Sequence, residues 1–215
     1  NEFKDAVNDF NQAVLIKPDY AEAFYNLGVT LREMGDSQNA INAYQEALKQ
    51  NNHYPKAHNN LGQIFLVMGN LDLAIDHLEW AVALQPEFAD AHNNLGSAYL
   101  GNNRVSDAID SYKKAVTLNP NFSISFNNLG IGYQRLGDET LAAENFENAI
   151  AISPNYATAH HNLSGVKKFK SGDKQFAQIE SLLSQNELGQ PDRIMLNFAL
   201  AKAHEDMGNH KEFFK

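Results

Sequence analysis

The chain has 215 residues, 43% hydrophobic and 20% charged, with a formal net charge of −9 and no cysteine. The acidic balance disfavours nucleic acid, which is held mainly through Lys and Arg on phosphates, and the missing cysteines remove disulfides and thiolate metal sites while leaving the compartment undetermined. The apolar content supports layered burial rather than disorder, and no stretch reaches the roughly 20 apolar residues that insert across a bilayer.

The chain opens in mid-pattern. Ala6, Phe10, Ala13 and Pro18 read as a second helix, over residues 1–20, whose preceding first helix is missing. From Ala21 a motif recurs at a fixed period: Asn26-Leu27-Gly28, Asn60-Leu61-Gly62, Asn94-Leu95-Gly96, Asn128-Leu129-Gly130 and Asn162-Leu163-Ser164, each step 34 residues. A period in this range marks a solenoid, in which each unit buries its apolar face against its neighbours. The units are 21–54, 55–88, 89–122, 123–156 and a loosened 157–190, with a further partial unit over 191–215.

Within each unit, counted so that Leu27 is position 7, position 8 is small (Gly28, Gly62, Gly96, Gly130, Ser164) and position 24 is bulky (Tyr44, Leu78, Tyr112, Phe146). Ala stands at position 20 (Ala40, Ala74, Ala108, Ala142) and at position 27 (Ala47, Ala81, Ala115, Ala149). Small residues opposite bulky ones let two helices approach and interdigitate. Gly35-Asp36, Gly69-Asn70 and Gly137-Asp138 read as a C-cap glycine followed by an N-cap side chain. Asn103 in the equivalent place predicts a slightly altered turn. Pro18, Pro86, Pro120 and Pro154 end second helices, and Asp19, Asn121 and Asn155 are expected to cap the next first helix.

Past Leu163 the pattern weakens: Lys167 and Phe176 replace an expected aromatic and an expected Ala. A helical stretch over Gln175–Asn186 precedes a three-residue insertion within Gln185–Pro191. Leu200-Ala201 and Gly208 then resume the register, and the chain reads as a segment of a longer protein.

Large-or-aromatic at 4, Leu at 7, Gly at 8, aromatic at 11 (where Lys167 departs), Ala at 20, aromatic at 24, Ala at 27 and Pro at 32 resembles the tetratricopeptide repeat. That resemblance implies an all-α right-handed solenoid, or superhelix, of antiparallel helix pairs whose first helices line a concave groove. It covers most of the chain, and departs at position 4, where His58, His92 and His160 stand. Those histidines lie one unit apart with no i, i+4 pair and no neighbouring carboxylate cluster, so they read as hydrogen-bonded packing residues rather than metal ligands. No nucleophile motif, phosphate loop or dinucleotide glycine pattern is present, so neither catalytic residues nor a cofactor are expected.

In the family this resembles, position 6 faces the groove. Asn26, Asn60, Asn94, Asn128 and Asn162 occupy it in all five copies, while position 2 has diverged to Glu22, Lys56, Asp90, Ile124 and Thr158. An amide carries both a donor and an acceptor, so the row can bond the backbone of an extended peptide without reading its side chains. The expected site is therefore Asn26, Asn60, Asn94, Asn128 and Asn162, flanked by Asn59, Asn93 and Asn127. Tyr25, Arg32, Gln63 and Arg135 supply selectivity. Replacing these Asn is expected to weaken binding with little effect on stability.

The His-Asn-Asn-Leu-Gly units are similar to the superhelix of O-linked N-acetylglucosamine transferases. Residues Phe198–Gly208 resemble the last repeats of bacterial tetratricopeptide-sulfotransferase proteins. Two functions follow: a non-catalytic scaffold for a protein or peptide partner, or the substrate-presenting arm of a transferase whose catalytic domain lies outside this chain. Acidic second helices (Asp72, Asp76, Glu79; Asp138, Glu139, Glu144, Glu147) offer a solvated face or a dock for a basic partner. The open ends, beside Phe3, Ala6 and Phe10 and beside Phe213 and Phe214, are expected to favour self-association, as is stacking through the convex face.

Overall fold

A computed structural model describes residues 2–185 and 188–209. It divides into two compact units, residues 1–107 and 108–215. Among the described residues there are only helices, turns and loops, as the period and the resemblance imply.

The first unit holds α1 (Glu2–Ile16), α2 (Ala21–Glu33), α3 (Ser37–Gln50), α4 (Pro55–Val67), α5 (Leu71–Leu84) and α6 (Ala89–Gly101). It ends in the first turn of α7 (Val105–Leu118). Helices α2 and α3 pack as one pair and α4 and α5 as the next, and α1 lies against α2. The pairing follows from the small and bulky positions. A Cβ on Gly28 would sit 2.7 Å from the Tyr44 ring, and one on Gly62 would sit 2.5 Å from Leu78 Cγ. These glycines are present because the partner side chain fills the space a larger residue would need. Ala40, Tyr44 and Ala47 on α3 and Ala74, Leu78 and Ala81 on α5 are fully buried as a result.

The turns inside each pair share one geometry. Gly35 and Gly69 take φ of 80° and 75°, and the next N–H bonds five residues back, Asp36 to Leu31 at 2.9 Å and Asn70 to Phe65 at 2.9 Å. Asn103 adopts the same left-handed conformation, φ 59°, and Arg104 N–H reaches Tyr99 O at 2.8 Å. The altered turn expected from Asn103 is therefore not found. Asn is among the few side chains that tolerate this region, so it substitutes for Gly without changing the loop.

Second helices are capped as expected, with Asp36 accepting from Asn39 N–H at 3.2 Å and Asn70 from Leu73 N–H at 3.4 Å. First helices are not. Their N-cap residues are the aromatics Tyr20, Tyr54, Phe88, Phe122 and Tyr156, with no side-chain capping bond. Asp19, Asn121 and Asn155 sit one residue too early, so the capping role expected of them is corrected: the aromatic takes the position.

The second unit contains the rest of α7, then α8 (Ser123–Leu136), α9 (Glu139–Ile152), α10 (Ala157–Val166), α11 (Lys174–Leu183) and α12 (Gln190–Asp206). The α8/α9 pair repeats the same rule, with a Cβ on Gly130 falling 2.6 Å from Phe146. Asp138 caps α9 by accepting from Leu141 N–H at 3.0 Å. Beyond it the repeat changes. Helix α10 has 10 residues where α8 has 14, and Lys167 leaves it in an extended conformation. The freed segment lays Phe169 into a core made by Ala157, Ile179, Leu182, Leu196, Ala199 and Ala203. Asn186 of the expected Gln175–Asn186 stretch, and Phe213 and Phe214 of the expected open end, lie outside the described residues; the described helix there is α11.

Candidate functional site

The position-6 amides sit on the first helices, and their geometry is set by the stacking of one pair on the next. Asn94 donates from Nδ2 to Asn59 Oδ1 at 3.0 Å, and Asn162 donates from Nδ2 to Asn127 Oδ1 at 2.9 Å. Each bond joins position 6 of one helix pair to position 5 of the pair before. Asn60 follows the same rule with a different acceptor, because position 5 of the preceding pair is Tyr25: its Nδ2 reaches the Tyr25 hydroxyl at 3.4 Å and the Tyr44 hydroxyl at 3.2 Å. Asn59 donates in turn to Asn60 Oδ1 at 3.4 Å. Within each unit the amides of successive pairs are thus interlocked into a ladder, Asn60 and Asn94 in the first and Asn162 in the second.

The twelve residues expected at the site divide by burial. Asn59, Asn60, Asn93 and Asn127 are buried, Asn127 most deeply at 2% exposure. Asn26, Asn94, Asn128 and Asn162 are half-buried, as are Tyr25, Arg32 and Gln63, while Arg135 is exposed. Asn94 and Asn162 each spend one amide hydrogen on the ladder, and among the described residues their Oδ1 atoms accept nothing. Asn60 has both of its amide atoms engaged inside the protein. For Asn60 the expectation of little effect on stability therefore gives way: an amide this buried contributes to holding the helices together.

Around the ladder in the first unit, Arg32 Nη1 donates to Gln63 Oε1 at 2.9 Å, across two successive first helices. Arg32 also pairs with Glu33 at 3.1 Å. The Tyr25 ring lies against Tyr54 at 4.8 Å and Tyr44 at 5.8 Å between centroids. Burial pushes the Tyr44 hydroxyl up to about 12, against which the nearby Arg32 charge and the Asn60 bond act only in part. It is a neutral phenol at physiological pH. Sequence reading assigned Tyr44 to packing alone; the signal it carried was a hydroxyl where Leu78 and Phe146 stand in other units, since a buried phenol needs a partner.

The position-4 histidines are packing residues. His92 Nε2 donates to Pro86 O at 2.9 Å and His160 Nε2 to Pro154 O at 3.0 Å; a carbonyl only accepts, so these nitrogens carry the proton. His58 likewise bonds the backbone of Asn52, the equivalent position, and it also approaches His77, Nδ1 to Nδ1 at 3.0 Å. Burial lowers His58 and His160, and burial together with the adjacent His58 takes His77 down to about 4. Among the described residues no group of three His, Cys, Asp or Glu is placed to hold a metal ion. No described helix is long and apolar enough to cross a membrane.

Tetratricopeptide repeat family models match residues 1–35, 30–69, 59–121 and 125–156. No curated protein matches the chain. Solved structures do. MamA 41-end from Desulfovibrio magneticus RS-1 is 27% identical over 73% of this chain and 88% of its own, with a TM-score of 0.66. TTC0263, a thermophilic tetratricopeptide protein of Thermus thermophilus, is 23% identical over 84% of this chain and 98% of its own, TM-score 0.65. YrrB, described as having an unusual peptide-binding site, is 20% identical over 87% of this chain and 95% of its own, TM-score 0.67. The last two likenesses establish fold alone.

Proposed function

The chain belongs to the tetratricopeptide repeat family, and from that premise we propose that it is a non-catalytic scaffold that binds an extended segment of a partner protein along its first helices. One observation carries the reading. Each unit repeats one bonding pattern between successive pairs, and it leaves a half-buried amide acceptor in each, Asn94 Oδ1 in the first and Asn162 Oδ1 in the second. An extended peptide presents backbone N–H groups that such acceptors take, each bond worth a net 0.5–1.5 kcal/mol, roughly. Several must act together to hold a ligand. Asn26 stands at the same position in the first unit and Asn128 in the second, and Tyr25, Arg32, Gln63 and Arg135 supply local preferences, with Arg32 and Arg135 favouring acidic side chains on the ligand.

The test is panning of a random peptide library on the full chain, followed by calorimetry on the enriched sequences. Asn94→Ala combined with Asn162→Ala should weaken the enriched peptides at least ten-fold with the helical circular dichroism unchanged. Enriched peptides that bind the double variant as tightly as the parent would remove the ladder from the binding site. Failure to enrich any peptide would remove the scaffold reading in this form.

A further inference from the structure

Trp80 is the only tryptophan in the chain, and it is 57% exposed. It stands on α5, a second helix, whereas the ladder runs along first helices. One face of the indole lies on the His58 ring, 20° from parallel with centroids 6.0 Å apart. His58 packs in turn on His77, and His77 is stacked on Phe65. Burial keeps both imidazoles neutral at physiological pH, so the ring backing the indole is not itself a cation. Trp80 lines a surface pocket of about 350 Å³ together with Asp76, Glu79 and Ala83. Glu79 is held in place by the Tyr99 hydroxyl, which donates to its Oε1 at 2.6 Å.

Other aromatic rings of this protein already carry a cation of the same chain: Lys17 over Tyr20, Arg104 over Tyr99, Lys113 over Tyr133 and Lys167 over Phe169. Trp80, the ring type with the strongest quadrupole, has none among the described residues. Asp76 and Glu79 form no ion pair there either, and α5 contains neither Lys nor Arg. An exposed indole beside two carboxylates that form no ion pair among the described residues, Glu79 being bonded by Tyr99 and acted on by the Arg104 charge, is complementary to a group that is both flat or extended and positively charged.

We propose that this pocket is a second docking point, separate from the ladder, and that its occupant is an Arg- or Lys-bearing segment of a partner protein, the cation resting on the open face of Trp80 between Asp76 and Glu79. Trp and Arg are enriched among the residues that carry most of an interface's binding energy, and a cation on an aromatic face gains more when desolvated than at an open surface. The carboxylates set the sign of the partner and speed its approach. A chain of net charge −9 offers many acidic side chains. What distinguishes this place is the backed, uncapped indole.

Because Trp80 is the only tryptophan, its fluorescence reports the pocket directly. The full chain is titrated at low ionic strength with the acetylated, amidated peptide Gly-Ser-Arg-Lys-Gly-Ser and with the same peptide carrying Gln for Arg and Lys. The basic peptide should change the emission saturably and the Gln peptide should not. Asp76→Asn with Glu79→Gln should weaken the basic peptide at least ten-fold; both residues are exposed, so circular dichroism should stay the same. Asn94→Ala with Asn162→Ala should leave the titration unaltered, which separates this proposal from the ladder reading. Four results overturn it: no saturable change, an equal response to the Gln peptide, tetramethylammonium binding as tightly as the peptide, or sedimentation showing a dimer of this chain that Trp80→Ala dissociates.

Discussion

Asn60 Nδ2 lies 3.2 Å from the Tyr44 hydroxyl, joining the first helix of one pair to the second helix of the pair before it. Both residues are buried, Tyr44 completely. The bond gives an otherwise apolar contact a polar lock that works in only one register. Asn60→Ala leaves the phenol without this partner and removes the bond to Tyr25 as well. We expect a loss of about 1–3 kcal/mol, the cost of an unsatisfied buried polar group, measured by urea denaturation. Tyr44→Phe with Asn60→Leu should lose less than Asn60→Ala alone, because both polar groups leave together. Equal stability of Asn60→Ala and the parent would show that the lock contributes nothing.

Gly62 and Leu78 form a contact between paired helices with no room for a methyl group: a Cβ placed on the glycine falls 2.5 Å from Leu78 Cγ. Gly62→Ala should therefore destabilise by about 1–3 kcal/mol through overpacking, even though Ala is the better helix former by roughly 1 kcal/mol. Adding Leu78→Ala in the Gly62→Ala background should cost less than Leu78→Ala alone, since the new methyl occupies part of the space. A double-mutant cycle with no coupling energy would deny that the two side chains meet.

The Gly-to-bulky rule, the paired helices and their punctuation were legible because each depends on residues a fixed number of positions apart in one unit. The ladder's partners were not. Which atom Asn94 meets is decided by how far one pair is shifted along the next, a quantity that 34-residue periodicity does not encode. The same applies to Trp80, which in sequence is one more aromatic on an amphipathic helix; its exposure and its backing by His58 exist only after α4 and α5 pack. Asn103 misled for a different reason: a change of residue type suggested a change of turn, yet the backbone conformation is one that Asn shares with Gly. The aromatic N-caps Tyr20 and Phe122 were missed because the polar residue beside each of them is the commoner cap.

Burial of His58 and His77, with His58 beside His77 as a second cause, makes stability depend on acid. Both groups are neutral in the fold, with His77 lowered to about 4 and His58 also lowered by burial, against an ordinary value of about 6.5. Between those values the unfolded chain binds protons that the folded chain does not. Stability is therefore fully present above about pH 6.5 and falls as pH drops towards 4. Two imidazoliums cannot share the Nδ1 to Nδ1 contact of 3.0 Å. His77→Leu should flatten the pH dependence of the melting temperature over this window; the residual slope belongs to groups such as His160, also lowered by burial. An identical slope in the variant would place the acid sensitivity elsewhere.

Asp206 ties the irregular segment of the second unit to α12. Its carboxylate accepts from Phe169 N–H at 3.1 Å and pairs with Lys202 one turn earlier on the same helix. Phe169 is fully buried in the core that α10, α11 and α12 share, so the bond fixes the extended backbone that places this ring. Burial pushes the carboxyl up, but the Lys202 bond, the Phe169 N–H and the charges of Lys202 and Lys168 outweigh it and hold Asp206 below the ordinary carboxylate value. The contribution is then present above about pH 4 and lost as pH falls through the lowered value. Asp206→Ala should destabilise by about 1–3 kcal/mol at neutral pH, as for a hydrogen bond to a charged group, with faster amide exchange at Phe169. Asp206→Asn keeps an acceptor and should recover part of the stability while losing the acid dependence. Protection of the Phe169 amide unchanged in Asp206→Ala would mean that the apolar packing of the ring alone holds the segment.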